Sequence, residues 1–507
     1  DDCDPATPDD DVDGDGFLEA ADCDDTTATT FPGAPETCGN GVVDDCDATG
    51  IPPRATCFAD RSTATADATV DGSTTDQRFG VSISAAGDAN GDGVGELLVG
   101  ADGDGAFQTG AAFLVLGPAD GTADSSAAYT TWTGESEDDW AGNAVAFGGD
   151  LDGNGADDDL AIAARYNEGT GNAAGAVYIV HNNRGPGTFG LDDRVAKVFA
   201  ENEYDSAGSA VAAPGDVDGD GFDDLLVGAE LHLPAGGTPW GAAYVVRGPL
   251  SGDVLLAFAD YKFQASGANE NAGCSAAGAG DTDGDGRSDL LVGSCLYGDL
   301  DVGIAWHFNT PILGDQSLTE ADGALKGAGP GDQAGTSVAG AGDTDGDGLD
   351  DVLVGAPYND EGAGEAGGSS FTIDAGAAYL SRGPAGIAMG NPTARLYGAA
   401  EGDRAGASVS GAGDLDGDGL ADIAIGAPYS DAGAVDGGAT FLLFGPVAGF
   451  FDLAEADVII SGAGPLELSG APLANAGDTN ADGFDDLLVG APSANGHGAV
   501  HLFTFGY

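Results

Sequence analysis

Apolar residues in this chain fall in short runs closed off by Gly, Pro or Asp, and the runs recur as a set. In one set, Ala334-Gly335-Thr336-Ser337-Val338 leads into an acidic stretch at Asp343, which gives way to Val352-Leu353-Val354-Gly355-Ala356-Pro357. A variable linker follows, then Gly376-Ala377-Ala378-Tyr379-Leu380, Gly383-Pro384 and Ala394-Arg395-Leu396-Tyr397-Gly398. Segments this short between turn residues read as antiparallel strands, and helical periodicity is absent. The acidic stretch begins at Asp88, Asp150, Asp216, Asp281, Asp343, Asp414 and Asp478, at spacings of 62, 66, 65, 62, 71 and 64 residues. A fixed period of this kind marks a repeat architecture. Four strands in each of seven units predict an all-β fold, a seven-bladed β-propeller of four-stranded blades.

The chain ends supply a check. The last unit stops after a third strand, Ala499-Val500-His501-Leu502-Phe503, while Ala66–Gly72 stands before the first loop and resembles the fourth strands elsewhere. That segment is expected to complete the last blade and close the ring, leaving no open sheet edge. A linear stack of units is the alternative. The propeller is assigned residues 61–507, and residues 1–60 form a separate Cys- and Asp-rich module.

The acidic stretches carry the chemistry. The fullest reads Asp216-Val217-Asp218-Gly219-Asp220-Gly221-Phe222-Asp223-Asp224. Oxygen donors at positions 1, 3, 5 and 9, with a carbonyl at 7, wrap a cation of calcium's size and hardness. The ligands expected there are Asp216, Asp218, Asp220, Phe222 (carbonyl) and Asp224. By the same spacing the first loop offers Asp88, Asn90, Asp92, Val94 and Glu96. The second offers Asp150, Asp152, Asn154, Ala156 and Asp158; one residue is inserted there, so Asp159 is the alternative to Asp158. The fourth loop offers Asp281, Asp283, Asp285, Arg287 and Asp289, and the fifth Asp343, Asp345, Asp347, Leu349 and Asp351. The sixth offers Asp414, Asp416, Asp418, Leu420 and Asp422, and the seventh Asp478, Asn480, Asp482, Phe484 and Asp486. An EF-hand needs an acid at position 12, where these loops hold Val99, Ala161, Val227, Val292, Val354, Ile425 and Val489. They are therefore β-hairpin loops, with the second and seventh expected to bind least tightly.

These units resemble FG-GAP repeats, the family that builds the β-propeller of integrin α-subunits and of many secreted bacterial proteins. The residues that carry the resemblance are Phe79-Gly80, Gly355-Ala356-Pro357, Gly426-Ala427-Pro428 and Gly490-Ala491-Pro492, and it covers about residues 62–507. Only the first unit keeps Phe-Gly; others carry Trp140-Ala141-Gly142 or Ala405-Gly406. The resemblance implies calcium loops on one face and ligand binding or adhesion on the opposite face. No inserted von Willebrand-type domain is visible, so integrin ligand chemistry is not carried over.

Residues 1–60 hold five of the seven cysteines and a further loop, with Asp11, Asp13, Asp15, Phe17 (carbonyl), Glu19 and Asp22 as expected ligands. The segment is similar to the MopE-type metal-binding motif and, more loosely, to thrombospondin type 3 repeats. It contains neither His nor Met, so all-oxygen calcium binding is expected rather than copper. Clustered cysteines point to an oxidising compartment. Cys274 and Cys295 flank the fourth loop and are expected to bridge within their repeat.

Charge narrows the function. Lys+Arg 14 against Asp+Glu 86 gives a net −72, which nucleic acid and anionic lipid would repel. Eight filled calcium sites would return roughly +16, leaving about −56. No apolar stretch is long enough to span a bilayer, so direct membrane insertion is not expected. The chain opens at Asp1 with no charged-then-apolar leader, as expected of a processed product. Five scattered histidines (181, 232, 307, 497 and 501) form no catalytic motif, and no enzyme activity is expected. The expected role is that of a secreted or cell-surface binding and adhesion module loaded with Ca2+. Its partner would be an extracellular protein or glycan, or further copies of the chain in a filament, sheath or surface layer.

Overall fold

The structure is a computed structural model that describes residues 59–506, apart from 89, 91–93, 118–120, 234–239, 266, 268, 299, 313, 362–372 and 384–391. The expected N-terminal module, with Asp11, Asp13, Asp15, Phe17, Glu19 and Asp22, lies outside the described residues, as does most of the long insertion after Tyr358.

Seven sheets form, one per repeat, each built on four antiparallel strands. In the fifth, the inner strand Ser337–Gly342 pairs with Asp351–Ala356, which pairs with Ala377–Ser381, which pairs with the outer strand Ala394–Tyr397. Every inner strand packs on the next, and that of the seventh blade packs on that of the first, so the ring is closed. Closure uses the segment read from the sequence. Ala68–Asp71 lies antiparallel to Ala499–Phe503, with Ala68 opposite Leu502 and Asp71 opposite Ala499. Linear stacking is thereby excluded.

The second strand of each blade is buried on both faces, which is why it reads as an unbroken apolar run instead of alternating. Cores lie between blades rather than within them. Ala161, Val177 and Ile179 of blade 2, for example, pack with Leu225, Val227 and Tyr244 of blade 3.

Small residues set the blade spacing. A Cβ on Gly355 would fall 2.0 Å from the carbonyl oxygen of Gly406 in the next blade, and one on Gly426 equally close to that of Gly470. Gly406 itself sits at φ 83°, in the left-handed region that glycine tolerates at little cost. The glycine of each Gly-Ala-Pro-type segment thus receives the glycine of the following Phe-Gly-type segment. Serine hydroxyls fasten the same joint. Ser82, Ser209, Ser275, Ser337 and Ser408 donate to the carbonyls of Gly142, Gly273, Gly335, Gly406 and Gly470 at 2.6–3.0 Å. Asn143 does so to Gly208 at 2.8 Å.

One feature adds to the four-stranded reading. Among the described residues, a short strand ahead of six of the outer strands crosses to the preceding blade and joins its edge in parallel. Gly187–Gly190, from blade 2, runs beside Thr130–Thr133 of blade 1. Five sheets gain an edge strand in this way, including Gly121–Asp124 on the closing strand, and Arg61–Ser62 does the same for the sixth blade. The fourth sheet shows four strands among the described residues.

Cys274 and Cys295 form a disulfide with Cα atoms 6.3 Å apart, bridging the inner strand to the end of the second strand of blade 4. Their separation of 21 residues sets the loop that the bond closes. Replacing both by Ser is expected to lower the unfolding free energy by about 3 kcal/mol. Urea denaturation checks this; unchanged midpoints would contradict it.

Candidate metal centres in the hairpin loops

Each acidic stretch joins an inner strand to its second strand, so all seven lie on one face of the ring. In the third, the Asp216 carboxylate accepts the backbone N–H groups of Gly219 (2.7 Å), Asp220 (3.1 Å) and Gly221 (2.8 Å). Asp218 accepts from Asp220 and Asp220 from Phe222, so the chain coils around its own carboxylates. Gly219 and Gly221, at φ 81° and 94°, permit the coil. Asp224 opens the second strand and is fully buried, accepting from Val217 and Gly248, each at 3.0 Å.

The same pattern recurs around Asp281, Asp343 and Asp414. Around Asp478 it is reduced to the N–H groups of Asp482 and Gly483. There Ala481 replaces the first glycine and is held at φ 59°, a region that side chains disfavour.

Carboxylate oxygens converge in these loops. One from each of Asp216, Asp218 and Asp224 lies within 4.8 Å of the others, as do sets from Asp281, Asp283 and Asp285, from Asp343, Asp345 and Asp347, and from Asp414, Asp416 and Asp422. Burial pushes the Asp422 carboxyl up to about 8, and the like charges of Asp416 and Asp414 add to the shift. Burial likewise raises Asp224 to about 7 and Asp351 to about 6. Crowded, desolvated carboxylates keep their charge only when a cation offsets it. An all-oxygen acidic donor set fits a hard divalent cation.

Of the first loop, Asp88, Asn90, Val94 and Glu96 are described; Asp92 is not. Glu96 is fully buried and accepts a hydrogen bond from the Asn90 side chain at 3.0 Å. The second loop carries the inserted residue. Asp159, not Asp158, opens the second strand and accepts the Asp152 N–H at 2.8 Å, as Asp224 accepts that of Val217. Asp158, one residue earlier and also buried, accepts from the Asn154 and Asn183 side chains.

Three residues escaped sequence reasoning. His181, Arg247 and Arg382 stand at or just beyond the end of third strands, across from the acid that opens the second strand. Arg247 pairs with Asp218, and Arg382 with Asp345 at 2.6 Å, so loops three and five already hold a built-in cation beside their third-position acid. The signal for them lies in strand register, which local spacing does not contain.

The opposite face differs in chemistry. Loops from second to third strands and linkers from outer to inner strands end there, and they carry exposed Phe107, Tyr204, Leu300, Ile373, Val435 and Leu466. Arginines and aromatic rings stack on the same face. Arg78 and Arg165 lie over Trp140, Arg165 over Tyr166, and Arg404 over Tyr358 and Tyr429, at 4.5–5.8 Å from the ring centres.

The FG-GAP repeat pattern matches residues 207–246, 334–371, 405–443 and 473–503, which are the loop-bearing parts of blades 3, 5, 6 and 7. Integrin alpha-PS5 of Drosophila melanogaster is 34% identical over 177 residues, covering 34% of this chain and 16% of that protein. Integrin alpha pat-2 of Caenorhabditis elegans is 31% identical over 266 residues, covering 48% and 20%. Integrin alpha-IIb of Homo sapiens is 34% identical over 154 residues, covering 30% and 14%. The matched region spans a fifth or less of the length of these relatives. Among the described residues no helix is long and apolar enough to cross a membrane.

Proposed function

The chain is an integrin α-like FG-GAP β-propeller, and on that premise we propose that it is an extracellular binding and adhesion module, stabilised by calcium, that takes a protein ligand on the face opposite its acidic loops. The observation that carries this reading is the Arg–aromatic cluster of Arg78, Trp140, Arg165 and Tyr166, with Arg404, Tyr358 and Tyr429 as a second group. Arginine and large aromatics dominate the energetics of protein interfaces, because they offer wide, stiff contact surfaces with a polar edge. Phe107, Leu300 and Val435 are exposed on loops of the same face, on a chain that is strongly acidic as a whole. The calcium loops fix the opposite ends of the inner and second strands, so they support this face without touching its ligand.

Beads coated with the chain are expected to retain at least one member of a panel of extracellular-matrix proteins in calcium. The Trp140→Ala, Val435→Ser double variant should weaken that binding by at least about tenfold, at unchanged melting temperature. No binding to any member, or equal binding by the variant, would overturn the assignment.

A further inference from the structure

The loop of blade 2 departs from the others in its donors. The carbonyl of Ala156, at the position expected to face a cation, instead accepts the Asp158 N–H at 2.9 Å. An imidazole stands on the other side of the loop. His181 ends the third strand Ala176–His181 and pairs across the sheet with Asp159. Its Nε2 lies 3.7 Å from Asp152 Oδ2, and its Nδ1 lies 3.2 Å from Asp159 Oδ1 and 3.4 Å from Asp158 Oδ1. Ligand atoms of Asp152, Asp159 and His181 all fall within 4.8 Å of one another.

A second observation comes from hydrogen bonding. Asp159 is fully buried, its Oδ1 and the facing Nδ1 of His181 are both shut off from solvent, and neither makes a hydrogen bond. The two atoms face each other at 3.2 Å as a charge contact without hydrogen-bond geometry, and a cation ligated by both would satisfy them fully.

We propose that this loop holds a borderline transition-metal ion of the zinc class rather than calcium, bound by the carboxylates of Asp152 and Asp159 and the imidazole of His181. The inference rests on the reading of the hairpin loops as divalent-cation sites. Zinc accepts nitrogen and carboxylate oxygen together and is satisfied by three protein ligands and a water. Calcium needs six to eight oxygens, and here the Ala156 carbonyl is already engaged. Imidazole suits zinc, copper, iron and nickel, whereas an all-oxygen set suits calcium. The equivalent position in blades 3 and 5 holds Arg247 and Arg382, which pair with the third-position acid and cannot ligate a metal. Blade 2 puts there a residue that can.

The test uses the full chain, stripped with chelator and dialysed into millimolar calcium, then titrated with Co2+ as a spectroscopic probe. One Co2+ per chain should bind despite the calcium, with the intense visible absorption of four-coordinate cobalt, and Zn2+ should displace it. His181→Gln should lose the absorption and at least tenfold in affinity, and Asp152→Asn should behave alike. Calcium content of the other loops, read by equilibrium dialysis, should stay unchanged in both variants. Absence of the cobalt band in a chain that binds calcium normally would overturn this inference alone. Equal cobalt affinity in wild type and His181→Gln would do the same. A chain that takes up neither ion would remove the underlying cation reading with it.

Discussion

Deleting Arg61–Asp71 is expected to destabilise the propeller by on the order of 5 kcal/mol. The segment supplies the outer strand of the last blade, paired over Ala68–Asp71 with Ala499–Phe503, and the edge strand Arg61–Ser62 of the sixth. Each lost backbone hydrogen bond costs about 1 kcal/mol net. Ala68 and Val70 leave a core shared with Val500, Leu502, Ile83 and Val99, which adds about 2–3 kcal/mol at ordinary transfer values. The deletion also opens the one joint where the two ends of the propeller meet, so adjacent blades fray together. Moving the same eleven-residue segment behind residue 507 on a Gly/Ser linker should restore most of the loss. Chemical denaturation measures both; a deletion as stable as wild type would show that the ring does not depend on its closing strand.

Gly355→Val is expected to be among the most damaging single substitutions, at about 3–5 kcal/mol. The added Cβ would meet the Gly406 carbonyl at 2.0 Å, and backbone cannot move aside as a side-chain tip can. Blades 5 and 6 would have to separate, and the Ser337 hydrogen bond to the same carbonyl would go with them. Gly402→Asn is the control. It has positive φ but nothing within 4 Å of its Cβ, so it should cost about 1 kcal/mol or less. Gly355→Ala and Gly406→Ala combined should cost less than the sum of the singles, since both open one interface. Equal effects of Gly355→Val and Gly402→Asn in urea titrations would contradict this packing.

What the sequence made legible was local. Acids spaced two apart with glycines between them mark a coil of chain wherever they occur, and the apolar run after each loop marks a strand buried on both sides. Ala66–Gly72 could be placed because it repeats the look of other outer strands. Features that depend on register or on the neighbouring blade were hidden. Gly187–Gly190 is short and half glycine, so nothing local marks it as a strand; its pairing with Thr130–Thr133 supplies the reason. His181, Arg247 and Arg382 act on loops that lie about 30 residues upstream, and only the hairpin register brings them there. Which of Asp158 and Asp159 opens the second strand turned on where an insertion is absorbed, and the strand begins at Asp159. Gly355 and Gly406 were recognisable as motif residues, yet their mutual contact is a property of two blades.

Thermal melting of the full chain in millimolar calcium, in chelator, and in magnesium at equal concentration tests the account most directly. Calcium at ten times its Kd contributes about 1.4 kcal/mol per site, and the six hairpin loops other than that of blade 2 act together on one ring. Chelator should therefore lower the melting temperature by about 10 °C or more, with recovery on adding calcium and little recovery with magnesium. Superimposable curves in calcium and chelator would contradict the claim that these loops are cation sites that hold the propeller together.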